Sequence, residues 1–149
     1  MALSYHELDD IVSVSYGMII IRMLGEWALA EVLVFGKDEL ADNDVRIVEV
    51  GSVEIGVFRK ADRYYAYRNL CPHQGGPVCE GMRIPKVEIE LDAERKFRKH
   101  GFNTDEMHFV CPWHGWEFKL ETGEAAGDPK IRLRRYEVTE RDGAIYVDA

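Results

Sequence analysis

Beyond residue 30 the chain reads as short runs of alternating apolar and polar residues separated by turn residues, and long stretches with a 3.6-residue apolar period are scarce. The pattern predicts a mostly β fold. Arg46–Val50 and Val53–Phe58 flank Gly51-Ser52, a two-residue link of the kind that closes a hairpin. Arg63–Tyr67 continues the pattern, Val87–Leu91 alternates strictly, and Met107–Val110 is a further strand. Tyr136–Thr139 is expected to pair with Ala144–Val147 around Asp142-Gly143, a strong local turn signal. Residues 1–30 fit this pattern poorly. Ser4-x-x-Glu7 can be read as a capping box opening a short helix, and Ile19–Ile21 suits a strand as well as a helix.

The chain has 149 residues, of which 46% are hydrophobic and 31% charged, with a formal charge of −8. One soluble globular domain is implied. The longest stretches without Asp, Glu, Lys or Arg, Ile11–Ile21 and Asn69–Cys79, are far shorter than the roughly 18 apolar residues of a membrane helix. Residues 1–10 carry Glu7, Asp9 and Asp10 and no Lys or Arg, the wrong charge for the n-region of a secretory signal. A cytoplasmic location without membrane attachment is therefore expected. With only three cysteines in a reducing compartment, a disulfide framework is not. Residues 1–56 hold 3 basic and 11 acidic side chains, and residues 57–149 hold 16 of each. A nucleic-acid binder would show a basic excess, and the compact basic groups, Arg95, Lys96, Arg98, Lys99 and then Lys130, Arg132, Arg134, Arg135, read as solvated faces.

Two segments differ in character: Cys71-Pro72-His73-Gln74-Gly75-Gly76-Pro77 and Cys111-Pro112-Trp113-His114-Gly115-Trp116. Each offers one thiolate and one imidazole, at C-x-H and C-x-x-H spacing. Pro72 and Pro112 fix φ just after each cysteine, while Gly75, Gly76 and Gly115 permit φ > 0 and let backbone N–H groups approach sulfur. A Cys2His2 zinc site uses the same donors but pairs like with like, at C-x2-4-C and H-x3-5-H. A cysteine nucleophile would not explain why the Cys-His pair occurs twice. Cys79 reads as a small buried hydrophobe, and His6, His100 and His108 as surface or strand histidines.

This double motif resembles the Rieske iron–sulfur proteins, whose 2Fe-2S centre carries two histidines in place of two cysteines on one iron. The resemblance spans about residues 30–148. It implies a Rieske-type antiparallel β-sandwich with a smaller cluster-binding subdomain, and one 2Fe-2S cluster held as metal and cofactor ligands by Cys71 and Cys111 on one iron and His73 and His114 on the other. High-potential members carry an extra disulfide-forming cysteine in each loop, plus a serine and a tyrosine; here those positions are Gly76, Trp113, Trp116 and Phe118. The Trp113–Phe118 run and Thr122-Gly123-Glu124 are instead similar to Rieske ferredoxins and oxygenase Rieske domains, which implies a potential near the bottom of the class, about −150 mV. Gly127-Asp128-Pro129 stands where those proteins carry a loop that helps cover the cluster.

Two departures stand out. The 37 residues between His73 and Cys111 exceed the usual spacing, so residues 31–149 are expected to form the Rieske domain with an insertion at about 82–108, beside the cluster loops. Residues 1–30 form an N-terminal extension, either an arm or interface, or the product of a start assigned upstream of Met18 or Met23.

With both irons saturated by sulfide and protein ligands, the implied function is one-electron transfer, from a flavin-dependent reductase to a terminal oxygenase of the ring-hydroxylating type. Alternatives are the small Rieske subunit of a nitrite reductase, another multicomponent oxidoreductase, or a redox-sensing module. An oxygenase subunit also begins with such a domain but needs a 2-His-1-carboxylate iron site. The 35 residues from Gly115 to Ala149 contain no histidine, so the chain is expected to be an electron-transfer component and not the enzyme itself. Since the histidine end is the electron exit in Rieske proteins, the insertion, with Arg95, Lys96, Arg98 and Lys99, is expected to supply the nearest charged surface.

Overall fold

A computed structural model describes residues 31–149. The expectations for residues 1–30, including the capping box at Ser4, the Ile19–Ile21 run, His6 and the role of the extension, lie outside the described residues. Ten strands follow in order: β1 (Glu31–Gly36), β2 (Val45–Val50), β3 (Val53–Lys60), β4 (Arg63–Arg68), β5 (Met82–Leu91), β6 (Phe97–Val110), β7 (Glu117–Lys119), β8 (Arg135–Tyr136), β9 (Val138–Arg141) and β10 (Ala144–Asp148). They form three antiparallel sheets, β1-β10-β9, β2-β3-β4-β8 and β5-β6-β7. The mostly β, antiparallel architecture is the one expected, with β5-β6-β7 and the two loops as the smaller cluster-binding part.

The central sheet is covered on both faces, which explains why β3 and β4 are richly apolar at successive positions. Ile55, Val57 and Ala66 face β1 and β10, packing with Phe35, Ile145 and Val147. Phe58, Tyr65 and Tyr67 face the opposite way and pack with Phe109, Phe118 and Leu120. Phe58 stacks on Phe109 with centroids 5.0 Å apart, and Phe109 in turn on Phe118 at 6.0 Å. Aromatic contacts of this kind add about 0.5–1.5 kcal/mol each beyond area burial. This second core underlies both Cys-His segments, because Cys71 and Cys111 belong to it.

The Gly51-Ser52 hairpin closes as expected, with Val50 opposite Val53. Asp142 (φ 52°) and Gly143 (φ 72°) form the tip between β9 and β10. The last hairpin is shorter than its sequence suggested. Val138 and Thr139 pair with Val147 and Tyr146, but Tyr136 pairs with Ala66 of the central sheet. The chain changes sheet at Glu137, so the apolar ring of Tyr136 is buried between two layers instead of extending β9.

Candidate metal centre

The two motif segments fold into the same turn. The Cys71 N–H donates to the Gly76 carbonyl at 2.8 Å, and the Gly75 N–H donates back to the Cys71 carbonyl at 2.8 Å. Forty residues on, the Cys111 N–H donates to the Trp116 carbonyl at 2.8 Å and the Gly115 N–H to the Cys111 carbonyl at 3.0 Å. Gly75 (φ 78°) and Gly115 (φ 71°) occupy equivalent left-handed positions, where a Cβ would strain the backbone. Gly76 is needed for a different reason. A Cβ there would lie 2.8 Å from Trp113 Cγ and 3.1 Å from Cys111 Sγ, so the absent side chain lets one loop sit on the other. The Trp113 indole thus covers Gly76.

The donors divide into two pairs. Cys71 and Cys111 are buried and adjacent to each other. Burial pushes the Cys71 thiol above its ordinary value, the His73 and Gln74 N–H groups that point at its sulfur oppose this, and the adjacent Cys111 adds to it. The N–H groups that approach the Cys71 sulfur are those of His73 and Gln74, while the Gly75 N–H is used within the turn. His73 and His114 are exposed, with ring centroids 4.9 Å apart and planes at 90°. The Trp116 indole stacks on His73 at 4.9 Å and 14°, and Trp113, 58% exposed, meets His114 edge-on at 6.4 Å. Among the described residues, no three His, Cys, Asp or Glu side chains are grouped to hold one ion. Two pairs suit a dinuclear cluster, in which each iron takes two sulfides and two protein ligands. The donor set therefore fits a 2Fe-2S group.

The supports beneath the loops include residues that sequence reasoning did not single out. Asn69 is buried just before Cys71. Its Oδ1 accepts from the Cys79 N–H at 2.9 Å, and its Nδ2 donates to Glu80 at 2.9 Å and Glu54 at 3.2 Å, tying together the segments that enter and leave the Cys71–Gly76 loop. Cys79 is fully buried, as expected, and wedged over Gly56, where a Cβ would lie 2.4 Å from the Cys79 Cβ. His108 is a strand histidine, buried in β6, its Nε2 3.1 Å from Glu106 and its Nδ1 3.2 Å from Glu117. Gly127 and Asp128 line an open cavity of about 650 Å³ with Gly115, Trp116 and Glu117, which puts their loop beside the second cluster loop.

The basic run lies elsewhere than expected. Arg95 and Lys96 sit at the closed end of the β5–β6 hairpin, whereas its open end, Met82 opposite Val110, adjoins Cys111. Alternation along two long paired strands carries these charges a full hairpin length away from the cluster loops. Carboxylates flank the loops instead, from Glu54 and Glu80 around Asn69 and from Glu117 and Asp128 at the cavity.

Fold and site together define an iron–sulfur protein of the two-cysteine, two-histidine kind. The Rieske [2Fe-2S] domain matches residues 30–137, and the chain belongs to that family. It is 22% identical to the ferredoxin component of the alkene monooxygenase system of Xanthobacter autotrophicus over 74% of each chain. Ferredoxin CarAc of Metapseudomonas resinovorans is 28% identical, over 68% of this chain and 77% of that one. Among solved structures, a chain in the complex of reduced oxygenase and oxidized ferredoxin in carbazole 1,9a-dioxygenase superposes with a TM-score of 0.57 at 25% identity, covering 78% of this chain and 99% of that one. No helix among the described residues is long and apolar enough to cross a membrane.

Proposed function

We propose that the protein is a one-electron carrier that holds one 2Fe-2S cluster on Cys71, Cys111, His73 and His114 and passes electrons from a flavin-dependent reductase to a terminal oxygenase. The observation that carries this reading is the pair of matched turns presenting two adjacent, buried thiols and two exposed imidazoles. The relatives support the partners: one is a component of an alkene monooxygenase system, and the similar solved structure comes from an oxygenase–ferredoxin complex. The bound cluster would supply reversible acceptance of a single electron. The chain's own residues do the rest. The second core keeps water from the cysteine end, and the exposed histidines with Leu70 and Trp113 present an apolar rim to a partner. The flanking carboxylates favour a basic docking face, and partner association should slow with added salt.

Within this reading residues 82–108 are an insertion on the Rieske domain, supported by the continuous pairing of β5 with β6 across that range. The location is cytoplasmic, in keeping with three cysteines that form no disulfide. Iron and acid-labile sulfide analysis, followed by reductase-dependent bleaching and reoxidation by an oxygenase, tests the proposal. Equal iron and sulfide with turnover through both partners is expected. Zinc without sulfide would reject the ligand assignment, and a reducible cluster that no oxygenase reoxidises would reject the partner.

A further inference from the structure

The two histidines assigned to one iron sit in unlike surroundings. A ligating imidazole is normally oriented by a hydrogen bond from its second ring nitrogen to a carboxylate, a backbone carbonyl or water. Among the described residues the ring nitrogens of His108 have such carboxylate partners, and those of His73 and His114 have no protein partner. Both of these rings are exposed. Contacts with other rings are what remain on the protein side to set their planes.

For His73 that contact is broad. The Trp116 indole lies over the imidazole with centroids 4.9 Å apart and planes 14° from parallel, an offset stack. The indole is held from below in turn. Trp116 is half-buried against the second core, and its ring centroid is 6.3 Å from that of Phe118, which stacks on Phe109 at 6.0 Å, as Phe109 does on Phe58 at 5.0 Å. Those three phenylalanines are fully buried. A column of rings therefore rises from the interior to a histidine of the Cys71–Gly76 loop, and close packing at its base leaves the upper rings little room to turn. His114 has no equivalent. Its plane stands at 90° to that of His73, and its other aromatic neighbour, Trp113, is 58% exposed and meets it edge-on at 6.4 Å.

We propose that Trp116 is a positioning residue, whose stacked indole fixes the plane of the His73 imidazole and makes the two histidine ligands inequivalent, one held and one free to turn. The overlap of an imidazole with the metal it binds changes as the ring turns about the bond between them. The plane of His73 thus bears on the spin density that reaches its nitrogen and on the reduction potential. The inference rests on the ligand assignment proposed above and adds to it a residue outside the donor set.

Nitrogen hyperfine spectroscopy of the reduced holoprotein, together with its reduction potential, tests the inference on the parent, Trp116→Leu and Trp116→Phe. The parent comes first: equal iron and sulfide with two histidine nitrogen couplings supports the assignment, and their absence overturns the assignment and the inference with it. At the iron content of the parent, Trp116→Leu is expected to shift one of the two couplings and leave the other in place, with a change in potential. Trp116→Phe keeps a ring on the imidazole and should hold both couplings and the potential at the parent values. If Trp116→Leu takes up no cluster, the comparison passes to Phe118→Leu, which removes the ring beneath the indole and should likewise shift one coupling alone. Parent-like couplings and potential in the leucine variant that is read overturn the proposal. A shift shared equally by both histidines, or a Trp116→Phe protein as altered as Trp116→Leu, overturns it as well and leaves Trp116 a packing residue.

Discussion

Loop 1 (Cys71–Gly76) and loop 2 (Cys111–Trp116) close with the same two backbone hydrogen bonds and carry glycine in the same left-handed position. They are held in different ways. Loop 2 is the tip of a paired hairpin, since Val110 on β6 faces Glu117 on β7, and sheet pairing sets its ends at the right separation. Loop 1 leaves the central sheet after Arg68 and ends in a short 3-10 turn at Val78–Glu80, with no ladder across it. A single buried side chain, Asn69, does for loop 1 what a pair of strands does for loop 2. One backbone conformation is thus reached by two supports, and substitutions should separate the shared part from the part that differs.

The largest effect should come from testing how far the equivalence extends to the ligands. His73 stands two residues after its cysteine and His114 three, yet their rings meet at 4.9 Å. The two turns thus bring the imidazoles together from unequal offsets. Exchanging the order in loop 1, with His73→Gln and Gln74→His together, keeps the composition and gives it the spacing of loop 2. Complete loss of the iron–sulfur absorption is expected. A normal visible spectrum and full iron content in that double variant would show that the turn alone governs ligand placement.

Next in size is the support that only loop 1 has. Asn69→Ala leaves the buried Cys79 N–H without an acceptor, which costs about 1–3 kcal/mol. Asn69→Asp should cost more, because its carboxylate would face Glu54 and Glu80 in place of a donating amide. Urea unfolding of the three proteins gives the order directly. An Asn69→Ala midpoint equal to that of the parent would mean that loop 1 needs no strap. Smaller again, and equal in the two loops, should be Gly75→Ala and Gly115→Ala. A Cβ on Gly115 meets nothing within 4 Å and one on Gly75 only Leu70 Cδ1 at 3.6 Å, so each change costs the left-handed strain alone, about 1–2 kcal/mol. A difference well above 1 kcal/mol between them would break the equivalence of the turns.

The same contrast marks what was legible in the sequence. Ligand chemistry is concentrated in a few residues at short spacing, so Cys71, His73, Cys111 and His114 stand out without any fold. The turns at Gly51-Ser52 and Asp142-Gly143 are written in residues that favour their conformations. By contrast, the turn from β3 into β4 opens on Ala61 (φ 48°), a residue type that carries no such signal. Tyr136 is apolar in either sheet, so alternation could not assign it to β4. The strap function of Asn69 depends on Glu54, Cys79 and Glu80, brought together from separate elements. The place of the basic run required the register of β5 on β6, because a charge cluster records exposure and not distance from a site.

The smallest effect at neutral pH concerns the Cys79 thiol, in the 3-10 turn that follows loop 1. Burial beneath β3 pushes it up to about 12 from an ordinary value of 9.0; the Gly56 N–H opposes the shift and Glu80 adds to it. Its proton is directed at the carbonyls of Tyr67 and Arg68, at 3.7 and 3.9 Å. Below pH 9 the native and unfolded chains both hold this proton, and stability does not depend on it. Between about pH 9 and 12 the unfolded chain releases the proton and the native chain keeps it, so stability falls as pH rises, by at most about 1.4 kcal/mol per pH unit for one group. Loop 2 has no titrating group at the matching place, where β7 buries Phe118. Tyr67, whose buried phenol donates to the Leu120 carbonyl and is likewise pushed up, is present in both parent and variant and cancels in their difference. Urea midpoints of the parent and of Cys79→Ala, measured at intervals from neutral to strongly alkaline pH, should run parallel up to about pH 9 and converge or cross above it as the parent loses its advantage. Parallel curves through the whole range would mean that the Cys79 proton is not held against the core, and that loop 1 opens there as easily as it does at neutral pH.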